Sequence, residues 1–246
     1  MYMALPKPPE GWDINEITKF FDAAKINEFA TFANLKGDVQ RLTDIDTLYR
    51  TVIDGLNHSH DWFAGFFVLR AHSNYLASCR LSWSGQIPEC YALLRSCLEN
   101  ALYGLYLARN PDSRETWLRR HDSNKHKQKV RDEFKIGAIL TLAQEINEQE
   151  GSVARTLYNR TIDYGAHPNE LALMQTLHIK KGEKQVQFKV AYLEGNSDQL
   201  ALALAFVLKT TAQIGVCSLS LLRNIYKERY DILGVTDALE NIKKGL

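Results

Sequence analysis

The sequence predicts a mainly α-helical bundle, with long antiparallel helices and one inserted β-hairpin near residues 176–193. Apolar residues recur at helical spacing through most of the chain. Two long periodic stretches meet at Ser84-Gly85-Gln86, as in an antiparallel helical hairpin. Period-two alternation occurs in one place: Leu177 and Ile179, then Val186, Phe188, Val190 and Tyr192, flank the turn Lys181-Gly182-Glu183-Lys184.

Residues 1–12 hold three prolines and read as irregular. With the helix that follows they form an N-terminal segment, 1–40, packing on a helical bundle domain, 41–246. Asp13–Asn34 reads as helix, with Ile14, Ile17, Phe20, Phe21 and Ala24 on its stripe, Asp13 as N-cap and Glu16 three residues on. Gly37 interrupts, and a second helix covers Asp44–Leu56, with Ile45, Leu48, Val52, Ile53 and Leu56 inward. A long helix from Ser59 or Asp61 to Trp83 turns Phe63, Phe66, Phe67, Leu69, Tyr75 and Leu76 to the core, and Gly85 ends it. Its partner, Pro88–Arg109, carries Tyr91, Leu94, Leu98, Leu102, Leu105 and Tyr106. After Asn110-Pro111-Asp112 a polar helix runs to Phe134. Gly137 marks a kink, Ile139–Glu148 a short amphipathic helix that Gly151 ends, and Ser152–Ile162 another helix. Asn169–Met174 reads as one or two more turns. Gly195-Asn196-Ser197-Asp198 supplies caps for the longest helix, Gln199–Tyr230, and a short helix fills Asp231–Leu246. Trp62, Trp83 and Trp117 read as core or groove aromatics.

Composition narrows the function. With 45% hydrophobic residues the chain can build a core, and a net charge of +1 gives no global basic field, so any nucleic-acid contact is a local patch. Cys79, Cys90, Cys97 and Cys217 form no Cys-x-x-Cys pair and read as reduced thiols of a cytoplasmic protein. The N-terminus lacks a signal-peptide pattern. The apolar run Leu200–Leu222, interrupted by Lys209 and Gln213, reads as a core helix and not a membrane span. No Gly-rich phosphate loop and no Gly-x-Ser-x-Gly elbow is present, against P-loop hydrolases and acyl-transfer enzymes.

The chemistry concentrates in the junction 158–169. Arg160 and His167 stand there with two backbone breakers, Gly165 and Pro168. A histidine moves protons near neutral pH. A guanidinium holds a phosphate at two points and stabilises charge on a phosphorane-like transition state. Both suit metal-independent RNA cleavage. The alternative is that Arg160 pairs with Asp163 and His167 caps the next helix. Arg95 and Glu99, four apart, form either a supporting pair that orients Arg160 or His167, or an ion pair fixing helix register. Arg119, Arg120, Lys125 and Lys127 belong to a basic stretch that either tracks an RNA backbone or is a solvated helix face. His58-Ser59-His60-Asp61 with His72, and His121-Asp122, invite a metal reading, but no ligand set converges; neither metal nor cofactor is expected.

Arg160-x6-His167 in an all-helical chain resembles the HEPN superfamily, whose ribonucleases carry Arg-x4–6-His. Pro168 directly after the histidine, and a hairpin before the last long helix, depart from that pattern. The run Tyr91–Asn100, followed by the histidine junction, also looks like uncharacterised bacterial helical proteins. The resemblance implies a bundle that dimerises and brings two motifs into one cleft. It further implies an RNA-acting protein, a metal-independent endoribonuclease of bacterial defence or toxin type, with RNA as substrate and an antitoxin or other protein as partner. The rival expectation is a non-catalytic helical module that dimerises or docks a partner through the hairpin and long helices.

Overall fold

Leu94, Cys97, Leu98, Ala101 and Leu102 are completely buried, and they lie on the helix around which the others pack. A computed structural model describes residues 7–56, 62–166, 170, 177–181, 186–190 and 198–246. In it α1 spans Glu16–Asn34, α2 Lys36–Gly55, α3 Trp62–Ser84, α4 Ile87–Arg109, α5 Ser113–Leu118, α6 Asn124–Glu133, α7 Ile136–Ile146 and α8 Glu148–Thr161. Then follow α9, Asp198–Arg223, α10, Lys227–Ile232, and α11, Val235–Lys243. The protein is all-α in architecture. Two short segments, β1 (Leu177–Lys181) and β2 (Val186–Val190), pair antiparallel with Leu177 opposite Val190 and Lys181 opposite Val186.

α3 and α4 form the central hairpin. Gly85 turns the chain at φ 81°, a left-handed conformation that glycine reaches without strain. α4 is enclosed by α3, α9, α7 and α8. α9 runs through the bundle with Val207, Leu208, Ile214, Leu219 and Leu222 buried. Its window Leu202–Arg223 is the one described helix long and apolar enough to cross a membrane, and 61% of it is covered by the fold. Its buried hydroxyls bond back along the helix, Thr211 to the Val207 carbonyl at 2.8 Å and Ser220 to that of Val216 at 2.9 Å.

Several boundaries differ from the sequence reading. Asn15, not Asp13, caps α1, its side chain accepting from the Thr18 N–H at 3.0 Å. Gly37 does not interrupt: α2 begins at Lys36 and crosses the expected 40/41 boundary. The polar helix breaks at a 3-10 turn, Arg119–His121, because Ser123 starts a new one by accepting from the His126 N–H. Gly137 lies inside α7, and Gly151 lies inside α8, not at a helix end. At Gly151 a Cβ would strike the backbone of Gln144, so the glycine is there to let α7 and α8 touch. The longest helix stops at Arg223.

Two expected core stripes point outward. On α3 the buried stripe is Phe63, Phe67, Ala71, Tyr75 and Ser78, while Phe66, Leu69, Leu76 and Trp62 face solvent. The helix is apolar on both faces, and helical periodicity cannot say which face is covered. On α1 only Ala24, Glu28 and Thr31 are buried, and Ile17 and Phe21 are exposed.

Candidate functional site

α8 starts at Asn147, whose side chain accepts from the Glu150 N–H at 3.0 Å. One face of α8 packs Ala154, Leu157 and Tyr158 into the core. Past Thr161 the chain runs through Ile162–Ala166, a turn kinked at Gly165, whose backbone is not helical. Gly165 in that turn lies against the backbone of Pro88 at the start of α4, where a Cβ would collide with the Pro88 carbonyl. This contact fixes the junction to the N-terminal end of α4.

Between α8, α9 and α11 opens a cleft of about 600 Å³. Arg160 lines it. Its Nη1 donates to Gln213 Oε1 at 2.6 Å, and Thr210 Oγ1 lies 3.4 Å away. The guanidinium carbon lies 5.3 Å from the centre of the Phe206 ring. Phe206 in turn packs on Tyr164, and Tyr164 stacks on Tyr91, so the cation ends a row of aromatic rings. Gln213 Nε2 reaches the Leu246 carbonyl at 3.5 Å, tying α9 to the last residue. Among the described residues no carboxylate lies within ion-pair distance of Arg160, Asp163 included.

The other cations of the cleft are compensated. Glu150 accepts from Arg223 at 3.1 Å, from Asn224 at 2.9 Å and from Lys243 at 3.4 Å. Glu240 takes Lys243 at 2.7 Å and Arg223 at 3.5 Å. Lys243, followed by the charges of Arg223 and Lys244, holds the Glu240 carboxyl below its ordinary range. Cys217 also lines the cleft, but burial, then the charge of Glu150, pushes its thiol up to about 12. It stays protonated and supplies no nucleophile.

Arg95 and Glu99 pair at 2.9 Å, half-buried. Tyr158 donates to the same Glu99 oxygen at 3.1 Å, and the Arg95 guanidinium lies 5.1 Å from the centre of the Tyr158 ring. Burial, then Glu99, pushes the Tyr158 phenol up to about 12, so it remains a donor at neutral pH. The pair thus grips α8 two residues before Arg160. Tyr158 and Arg160 point to different sides of the helix, and among the described residues Arg95 and Glu99 do not touch Arg160. His167 lies outside the described residues, as do His58-Ser59-His60-Asp61 and Asn169.

The basic residues lie elsewhere. Arg119 pairs with Asp122 at 2.8 Å and Glu115 at 3.3 Å. Arg120, Lys125 and Lys127 are exposed, and α6 buries only Val130. α5 and α6 follow the C-terminal end of α4, whereas Arg160 sits near its N-terminal end. Phe134, just past α6, stacks on Tyr103, and the aromatic row at Arg160 reaches Tyr91, so about 12 residues of α4, roughly 18 Å, lie between the two groups. His72 is taken by Asp46 at 2.6 Å and Asp122 by Arg119. Among the described residues no three His, Cys, Asp or Glu side chains gather as a metal would require.

Gln213, Thr210 and Phe206 escaped the sequence reading. They come from α9, about fifty residues beyond Arg160. One signal was present: Gln213 is a polar residue in an otherwise apolar run, and such a residue inside a bundle needs a partner. Compared with known protein families, curated proteins and solved structures, the chain has no match.

Proposed function

We propose that this protein acts on RNA as a HEPN-like, metal-independent endoribonuclease. Arg160 holds the phosphate and His167 moves the proton. The observation that supports this reading is the company Arg160 keeps. Gln213 and Thr210 are neutral and the Phe206 ring is apolar, so they orient the guanidinium without cancelling its charge. Arg223 and Lys243, in the same cleft, already have Glu150 and Glu240. A half-buried cation oriented in this way calls for an anion, and the fork of a guanidinium matches a phosphate at two points. A cleft of about 600 Å³ suits a nucleotide-sized group. The bacterial defence or toxin setting, with an antitoxin as partner, rests on the resemblance of Arg160-x6-His167 alone.

A second reading, the non-catalytic helical interaction module, is supported by a separate observation: large apolar side chains of α1 and α3 face solvent.

Fluorescence anisotropy of a labelled single-stranded RNA over a salt series tests the first reading. Arg160→Ala is expected to weaken binding for all sequences alike and to lower the slope of log affinity against log salt by about 1, the signature of one lost phosphate contact. A slope unchanged by Arg160→Ala removes Arg160 from the RNA site.

A further inference from the structure

α1 is inside out. Its buried residues include Glu28 and Thr31, and its tethers to the end of α3 are polar. Arg80 donates to Glu28 at 3.0 Å, Thr31 to the Trp83 carbonyl at 2.8 Å, and Asn27 to the Ser84 carbonyl at 3.0 Å. Phe21, Phe29 and Phe32 of the same helix face outward, as do Trp62, Phe66 and Leu69 of α3. These six side chains are between 48% and 66% exposed. A lone surface helix normally buries its apolar face and wets its polar one. Here the order is reversed.

We propose that the protein is a homodimer in which the α1 arm of each copy lies on the outer face of α3 of the other. One chain carries both halves of the contact, an apolar helical arm and an apolar helical face. A two-fold axis pairs arm with face twice and leaves neither over. The area is of the right size. At ~200 Å² for a whole large side chain, the six expose roughly 650 Å². Summed over arm and face, that approaches the ~800 Å² a stable dimer buries on each copy. The charges also match. α3 contains no Asp or Glu and exposes Arg70, while α1 exposes Asp22; Arg80 is taken by Glu28 and Glu16 by Lys19 within the same copy. With Glu16, Asp22 and Glu28 against Lys19 and Lys25, α1 lacks the basic polar face of a helix that lies on lipid. This surface does not include the α8–α9 cleft, so it stands or falls apart from the RNA reading.

Sedimentation velocity on the full chain, over a hundredfold range of concentration, tests it. The wild type is expected at twice its 28.1 kDa. Phe29→Lys and Leu69→Glu each replace an exposed side chain, so their helical circular dichroism should match the wild type, and their melting should match that of wild type diluted to monomer. Each is expected to weaken self-association at least tenfold. Mixed one to one, they should form dimers again, because the mixed pair keeps one wild-type arm on one wild-type face. Should either variant fold poorly, Phe21→Lys and Phe66→Glu serve as the second pair. A wild type that stays monomeric throughout, including one that binds anionic phosphatidylserine vesicles, overturns the proposal. So does a dimer that survives both substitutions, or two monomeric variants that never recombine.

Discussion

Arg160 and Glu28 are both half-hidden or buried charges, and their partners give them opposite roles. Glu28 is fully answered: Lys25 lies at 2.7 Å and Arg80 at 3.0 Å. Burial alone would raise its carboxyl, but the hydrogen bonds from Lys25 and Arg80 outweigh it, and the group lies below its ordinary 4.5. Such a group is structural. A carboxyl with a depressed folded value adds stability that is complete above 4.5 and is lost as pH falls through the lower folded value. Thermal melting followed from pH 6 to pH 3 is therefore expected to drop below about pH 4.5, and Glu28→Gln should flatten part of that drop while lowering the plateau above it. A variant with the same acid profile as the wild type would show that Glu28 is not engaged. Arg160, by contrast, is positioned by neutral groups, and the proposed function assigns its charge to a ligand.

At the scale of elements, the junction of α8 with the kinked turn Ile162–Ala166 anchors the end of the helix that carries Arg160. Gly165 presses on the Pro88 backbone, which cannot swing aside as a side chain would. Gly165→Ala is expected to destabilise by about 1–3 kcal/mol, the usual cost of overpacking, in urea unfolding. Gly137 provides the control. It lies in α7 with open space around its Cα, so Gly137→Ala should be neutral or stabilise by up to ~1 kcal/mol. Equal effects at the two positions would mean that the junction is not held by this contact. Glu150 complements it from the far end of α8, joining α8 to α9 and α11 through Arg223, Asn224 and Lys243.

Across the whole molecule, the parts legible in the sequence are those written in local spacing. The α3–α4 hairpin followed from Gly85, Pro88 and the long apolar stripes, and periodicity picked out Ile45, Leu48 and Val52 of α2 and Tyr91, Leu94, Leu98, Leu102 and Leu105 of α4 as buried. What could not be read was which side of a two-faced helix is covered. Phe66, Leu69 and Leu76 have the same spacing character as Phe63, Phe67 and Tyr75, and only the placement of α4 and α9 separates them. The capping choice between Asp13 and Asn15 was a matter of two residues, decided by a 3-10 turn at Trp12–Ile14. Of the candidate site, Arg160 was singled out because it stands near two backbone breakers. Gln213, Thr210 and Phe206 were not, because tertiary packing and not spacing brings α9 to α8. The basic stretch was legible as a charge run, yet its place beside Tyr103, away from Arg160, depends on tertiary packing.

The central claim is that Arg160 and His167 cut RNA without a metal, and one cleavage assay addresses it most directly. Wild type, Arg160→Ala and His167→Ala are incubated in EDTA with a mixed pool of single-stranded and structured RNAs, with melting measured in parallel. The wild type is expected to cut and to leave 2′,3′-cyclic phosphate ends, since the 2′-hydroxyl is the nucleophile. Both variants should lose cleavage by a hundredfold or more, in the range that general acid–base groups and charge stabilisers contribute, with melting nearly unchanged. RNA left intact by the wild type, or cleavage that persists in His167→Ala, would contradict the claim.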